Sequence, residues 1–163
     1  MRRFLLFLLV LILAGCTRVE PNSSLIRPGD RIPAFQVEME DGSFLSSGGL
    51  IGSPCFIIFF NTTCSDCQKT LPEVQKAYEL YGETIRFVAI SHGQAASDVR
   101  SWWDENGITL PFAAQEDSAV YHLFATSHIP RVYICNSKGV VVTCFDDDPC
   151  PTFADLEQAL KGL

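Results

Sequence analysis

Cys64 and Cys67 are separated by Ser65 and Asp66. On a first helical turn that spacing brings two sulfurs within bonding reach. One thiolate can attack a disulfide, and the second thiol can resolve the mixed disulfide by attacking the first sulfur. The thiolate is the reactive form, and a helix N-terminus favours it through partial positive charge and unpaired N–H groups. Cys64 is expected to be the exposed attacker and Cys67 the more buried resolver, with Ser65 and Asp66 as tuning positions. Asp66 places a negative charge near both sulfurs. That opposes thiolate formation and predicts a reducing couple, with the Cys64 pKa less depressed than in a strongly oxidising site. The same spacing also serves half of a zinc site or an inert structural bridge. Zinc needs two further ligands at suitable spacing. The other cysteines are scattered singly and His92, His122 and His128 form no paired motif, so neither a metal nor any other cofactor is expected.

The elements that must position this pair follow from the pattern. Residues 55–60 (Cys-Phe-Ile-Ile-Phe-Phe) form a continuous apolar run suited to a strand buried on both faces. Residues 61–63 break it. Residues 65–81 carry Leu71, Val74, Ala77, Tyr78 and Tyr81 at helical spacing, and Gly82 stops them. Residues 85–90 make a second buried strand. Strand, helix, strand in this order implies parallel pairing and a right-handed crossover. Upstream, residues 32–40 and 44–45 flank Asp41-Gly42 as a hairpin, and Ser47-Gly48-Gly49 loosens the chain. Downstream, helices are expected over 95–106, 117–124 and 152–160, and strands over 110–113, 131–135 and 140–145. Trp102 and Trp103 are adjacent on a helix, so one should pack inward and the other lie near the surface. The fold class is α/β, with a mixed central sheet flanked by helices.

The chain has 163 residues, of which 47% are hydrophobic, enough for one domain with a real core. Its formal charge of -7 excludes the cationic field that nucleic acid demands. Arg2 and Arg3 precede the apolar run of residues 4–13, too short to span a bilayer, and then Leu13-Ala14-Gly15-Cys16. Residues 1–15 read as a signal peptide. The ending resembles a bacterial lipobox, which implies cleavage before Cys16 and a lipid on its sulfur. Residues 16–28 are then a lipid-anchored tether and 29–163 the folded domain. An ordinary signal peptide with an incidental cysteine is the alternative. With Cys16 lipidated, an even set remains (Cys55, Cys64, Cys67, Cys135, Cys144 and Cys150), which suits an oxidising compartment.

From about Asp30 to Leu163 the chain resembles the TlpA/ResA-like thioredoxins, which are tethered or periplasmic disulfide reductases. The match runs in order through Gly29-Asp30 with Ile32-Pro33-Ala34-Phe35, then Asp41-Gly42, Phe56 to Phe60, and Cys64-Ser65-Asp66-Cys67. It continues through Pro72, Phe87 to Ile90, the helix and strand inserted between Ala95 and Phe124, and Ile129-Pro130 with the strand after it. The turn Asn136 to Gly139 closes it. The resemblance implies a thioredoxin-like fold with an N-terminal β-hairpin, and a cis Ile129–Pro130 bond beside the cysteines. It also implies substrate binding along Ile129, Pro130 and Thr63, the last standing where the family often has tryptophan. A cis X-Pro turn exposes backbone that an extended peptide can pair with. Implied partners are thiols and disulfides of envelope proteins, a membrane reached through the lipid, and a membrane thiol donor. The location is the bacterial cell envelope, lipid-anchored and periplasm-facing, on either membrane. The buried acid of cytosolic thioredoxins has no counterpart, because Ile58 takes its place. Glu73 is a candidate proton carrier or simply a solvated glutamate.

In that fold Cys55 and Cys135 begin and end neighbouring antiparallel strands, so they form either a bridge or two buried thiols. Cys144 and Cys150 flank Asp146-Asp147-Asp148 and could close a local ring. The aspartates lack the alternating spacing of a calcium loop and read as a solvated turn. His128 either tunes Cys64 or is merely exposed. Besides disulfide exchange, two readings stand: a peroxiredoxin-like peroxidase, which has Asn61 where a Thr or Ser is needed, and a noncatalytic thioredoxin-like binding module.

Overall fold

A computed structural model describes residues 23–163. The expected signal peptide, Cys16 and most of the expected tether lie outside the described residues. The chain runs β1 (Gln36–Glu38), β2 (Phe44–Ser46), α1 (Ser47–Leu50), β3 (Cys55–Phe60), α2 (Ser65–Tyr81), β4 (Arg86–Ser91) and α3 (Ala96–Asn106). It continues through β5 (Phe112–Ala113), α4 (Tyr121–Phe124), β6 (Arg131–Cys135), β7 (Val141–Phe145) and α5 (Phe153–Leu160).

β3 lies at the middle of a five-stranded sheet of order β5-β4-β3-β6-β7. It pairs parallel with β4 and antiparallel with β6, so the sheet is mixed, as the sequence predicts. All six β3 residues are buried, because each face of the sheet is covered. Phe56, Ile58 and Phe60 point into a cluster built with Leu71, Val74, Val99, Trp103 and Leu156, from α2, α3 and α5. Cys55, Ile57 and Phe59 point the other way, toward Phe35, Val37, Leu50, Tyr121 and Phe124. The uninterrupted apolar run is thus two alternating faces, each with its own core.

The β1–β2 hairpin turns at Asp41-Gly42, where Met39 N–H donates to the Ser43 carbonyl. Gly107 ends α3 with φ +65, a left-handed position that suits glycine. Trp103 is buried and donates from Nε1 to the Leu110 carbonyl at 2.8 Å, while Trp102 is only partly covered.

Three elements differ from expectation. Residues 47–50 form a short helix rather than a loose link, because the Ser46 hydroxyl accepts from Gly49 N–H and caps it. The expected helix over 117–124 is confined to Tyr121–Phe124, since Ser118 adopts φ +56 and breaks any helical path through it. β5 shrinks to two residues behind Pro111, which has no N–H for a ladder.

Candidate active site

β3 delivers the chain into a turn whose polar groups are held individually. Asn61 Nδ2 donates to the His92 carbonyl at 2.9 Å, and Asn61 Oδ1 accepts from Thr63 N–H and Oγ1 at 2.9 and 2.8 Å. Thr62 is buried. Its N–H donates to Gln94 Oε1 at 3.0 Å, and its carbonyl accepts from Gln68 Nε2 at 2.7 Å. The turn therefore presents Thr63, which is exposed, and Cys64 in a fixed orientation.

Cys64 is the N-cap of α2, with extended backbone and its sulfur accepting from Cys67 N–H at 3.5 Å. An orphan helical N–H thus points at the sulfur, an arrangement that stabilises negative charge there. Cys64 is partly exposed, whereas Cys67 is fully buried. Burial pushes the Cys67 thiol well above the ordinary thiol range. Asp66 does not face the sulfurs as an uncompensated charge. Its Oδ1 pairs with Lys69 Nζ at 2.8 Å, one turn along the helix.

The other wall is the loop before β6. The Ile129–Pro130 bond is cis. Cys64 Sγ donates to the Ile129 carbonyl at 3.6 Å, so the topology brings the residues named from the CxxC and from the proline loop into one site. His128 has φ +70 and its carbonyl accepts from Tyr121 Oη at 3.0 Å. Buried Arg131 donates from Nε and Nη2 to the Ser127 carbonyl at 3.1 and 3.0 Å, and also bonds Ser23. This guanidinium clamp on the proline loop has no local sequence pattern to reveal it, and neither has the Thr62–Gln94 pairing.

A third segment closes the rim. His128 Nδ1 lies 3.2 Å from Asp147 Oδ2, and the Asp147 carbonyl accepts from Cys150 Sγ at 3.5 Å. Six positions beyond Asp147, Phe153 N–H donates to Glu73 Oε2 at 2.9 Å. Asp147 is thereby tied to the proline loop and Phe153 to α2. Cys150 lies between them in this segment and is partly buried. The Asp148–Pro149 bond is also cis.

Glu73 is committed elsewhere. Its Oε1 pairs with Lys76 at 2.7 Å, and that lysine holds the carboxyl below its ordinary range. All six described cysteines are thiols in this structure. Cys55 and Cys135 face one another across β3 and β6. Cys144 is half-buried near Tyr133, on the far face of β7 from Cys67. Among the described residues, no group of three or more His, Cys, Asp or Glu could hold a metal ion, and no helix is long and apolar enough to cross a membrane.

The chain is similar to known proteins over most of its length. Residues 28–144 match the AhpC/TSA family. The thiol-disulfide oxidoreductase ResA of Bacillus subtilis is 28% identical over 140 residues, 83% of this chain and 78% of ResA. The thioredoxin domain of a thiol-disulfide oxidoreductase from Bacteroides vulgatus superposes with a TM-score of 0.73 at 18% identity, covering 84% of this chain and 97% of that one. The exposed lipoprotein thioredoxin Etrx1 of Streptococcus pneumoniae superposes with a TM-score of 0.68 at 17% identity, covering 80% and 100%. The fold is thioredoxin-like, with the N-terminal hairpin and the inserted α3–β5 segment.

Proposed function

Because the chain belongs to the AhpC/TSA family, and is within it a ResA/TlpA-like thiol-disulfide oxidoreductase, we propose that Cys64 and Cys67 are its redox couple and that it reduces disulfides of proteins in the bacterial cell envelope. One observation carries this reading: the Cys64 sulfur caps α2, accepts the Cys67 N–H and touches the carbonyl that precedes Pro130.

The reaction follows from that geometry. A client segment lies extended along Ile129 and beside Thr63, pairing with backbone at the proline loop. The Cys64 thiolate attacks one client sulfur. A Cys64–client disulfide forms, and the other client sulfur leaves as a thiolate that takes a proton. Cys67 then loses its proton and attacks Cys64 Sγ, which releases the second client thiol and leaves the Cys64–Cys67 disulfide. A donor dithiol, proposed to be membrane-bound, returns two electrons and two protons. One feature supports the reducing direction: burial favours the neutral thiol of Cys67. A couple whose dithiol form is favoured less by thiolate stabilisation is a poorer oxidant.

The envelope placement rests on residues 1–15 as a signal peptide and Cys16 as a lipid anchor, and is supported by the likeness to a lipoprotein thioredoxin. Reduction of insulin by the purified domain, lost in Cys64→Ser, tests the activity. Trapping clients in cells with Cys67→Ser, and labelling Cys16 with a fatty-acid probe, test the targets and the anchor. Absence of both insulin reduction and trapped clients overturns the reading.

The family match favours one second reading, a thiol peroxidase. Three residues before Cys64 stands Asn61, whose amide is occupied by Thr63 and His92. Consumption of peroxide at a rate exceeding insulin reduction would select it.

A further inference from the structure

Cys55 and Cys135 stand apart from the proposed redox site, at the opposite end of β3. Cys55 is the first residue of β3 and Cys135 the last of β6, and the two are register partners in the antiparallel pair. Directly opposed residues project to the same face. Both side chains accordingly enter the apolar cluster that holds Ile57, Tyr133 and Val141, and both are fully buried. Each thiol is the main influence on the other's ionisation, which is eased at Cys55 and opposed at Cys135. Two isolated buried cysteines would simply pack as small hydrophobes; these two are register partners on one face of the sheet.

Opposed positions of an antiparallel pair put Cβ atoms about 4.5–5.5 Å apart, and a disulfide needs about 3.5–4.5 Å. Closure therefore requires the strand ends to approach by roughly 1 Å. The local ladder can give that much. Cys135 sits at a register shift between β6 and β7, and both residues are at strand ends.

We propose that Cys55 and Cys135 are a second dithiol/disulfide couple, which staples β3 to β6 when closed by exchange with a small-molecule disulfide such as oxidised glutathione. One cysteine thiolate attacks the reagent, forming a mixed disulfide and releasing one glutathione thiol. The other cysteine attacks the protein sulfur of that mixed disulfide and releases the second. Two electrons pass from the pair to the reagent, and the pair's two protons end on the released thiols. Exchange proceeds before the strands pair during folding, or through opening of their ends.

The test uses the full-length chain and a Cys64→Ser, Cys67→Ser double variant, each reduced, unfolded, and refolded in glutathione buffers. After acid quenching and alkylation, proteolysis and mass spectrometry identify linked peptides. The expected result is a Cys55–Cys135 peptide pair in both proteins, with a thermal midpoint about 5–15 °C above the reduced form of the same protein. Using the double variant keeps this outcome separate from whether Cys64 and Cys67 are active. Cys55 and Cys135 both alkylated at every glutathione ratio, or joined to other cysteines instead, overturns the proposal.

Discussion

Cys64 Sγ and the Ile129 carbonyl oxygen are 3.6 Å apart, with the thiol as donor. The same sulfur accepts the Cys67 N–H. Ionisation changes these two contacts in opposite directions. A thiolate cannot donate to Ile129, so the carbonyl is released for a client backbone. The thiolate is a better acceptor, so the Cys67 N–H bond strengthens. Activation of the nucleophile and opening of the peptide-binding edge are thus one event. Shortening the donor should show it: Cys64→Ala is expected to bind a client-derived peptide containing no cysteine at least as well as the reduced wild type at pH 6, measured by calorimetry. Clearly weaker binding by Cys64→Ala would mean that the thiol contact does not compete with the client.

Cys67 makes the reduced protein sensitive to alkali. Its thiol is held protonated in the fold by burial, while in the unfolded chain it ionises near about pH 8.5. Above that pH the unfolded state binds fewer protons than the native one, so stability falls as pH rises. The contribution is intact below about pH 8.5 and declines above it, approaching about 1.4 kcal/mol per pH unit from this group. Urea unfolding of reduced wild type and reduced Cys67→Ala between pH 7 and 10 measures it. The wild type should lose stability more steeply; parallel curves would contradict the assigned cause.

Glu73 is a positioning residue for α5 rather than a proton carrier. Its carboxylate accepts the Phe153 N–H and pairs with Lys76. Glu73→Gln should cost about 0.5–1.5 kcal/mol of stability and leave the pH profile of insulin reduction in place. A profile displaced by a full pH unit would return Glu73 to the proton path.

Gln94 holds the turn that presents Cys64. Gln94→Ala strips the partner from the buried Thr62 N–H, which should cost about 1–3 kcal/mol in urea unfolding. A loss below about 0.5 kcal/mol would show that the turn is held by Asn61 and Gln68 alone.

Much of this site is legible in the sequence because its signals are local. The six-residue apolar run gives β3, and the helical spacing of Leu71, Val74 and Ala77 gives α2, so the Cys64–Cys67 pair falls at their junction. Ile129-Pro130 is found by its likeness to a family pattern. What escapes is either non-local or locally unfavourable. Gln94 reaches Thr62 across 32 positions, and Arg131 closes on Ser127 from inside a strand pattern. The helix Ser47–Leu50 contains Gly48 and Gly49, poor helix formers by propensity; the Ser46 cap and the burial of Leu50 hold it. Cys150 reaches the rim because Asp147 and Phe153 are tied to two different walls, a constraint no spacing encodes.

A redox titration of the purified domain in dithiothreitol buffers, with alkylation and peptide mapping of Cys64 and Cys67, tests the proposed couple most directly. The expected result is a two-electron couple carried by those two cysteines, absent in Cys64→Ser and Cys67→Ser, with a potential well below about −120 mV. Cys64 and Cys67 remaining unlinked at every potential, or a couple near about −120 mV, would contradict it.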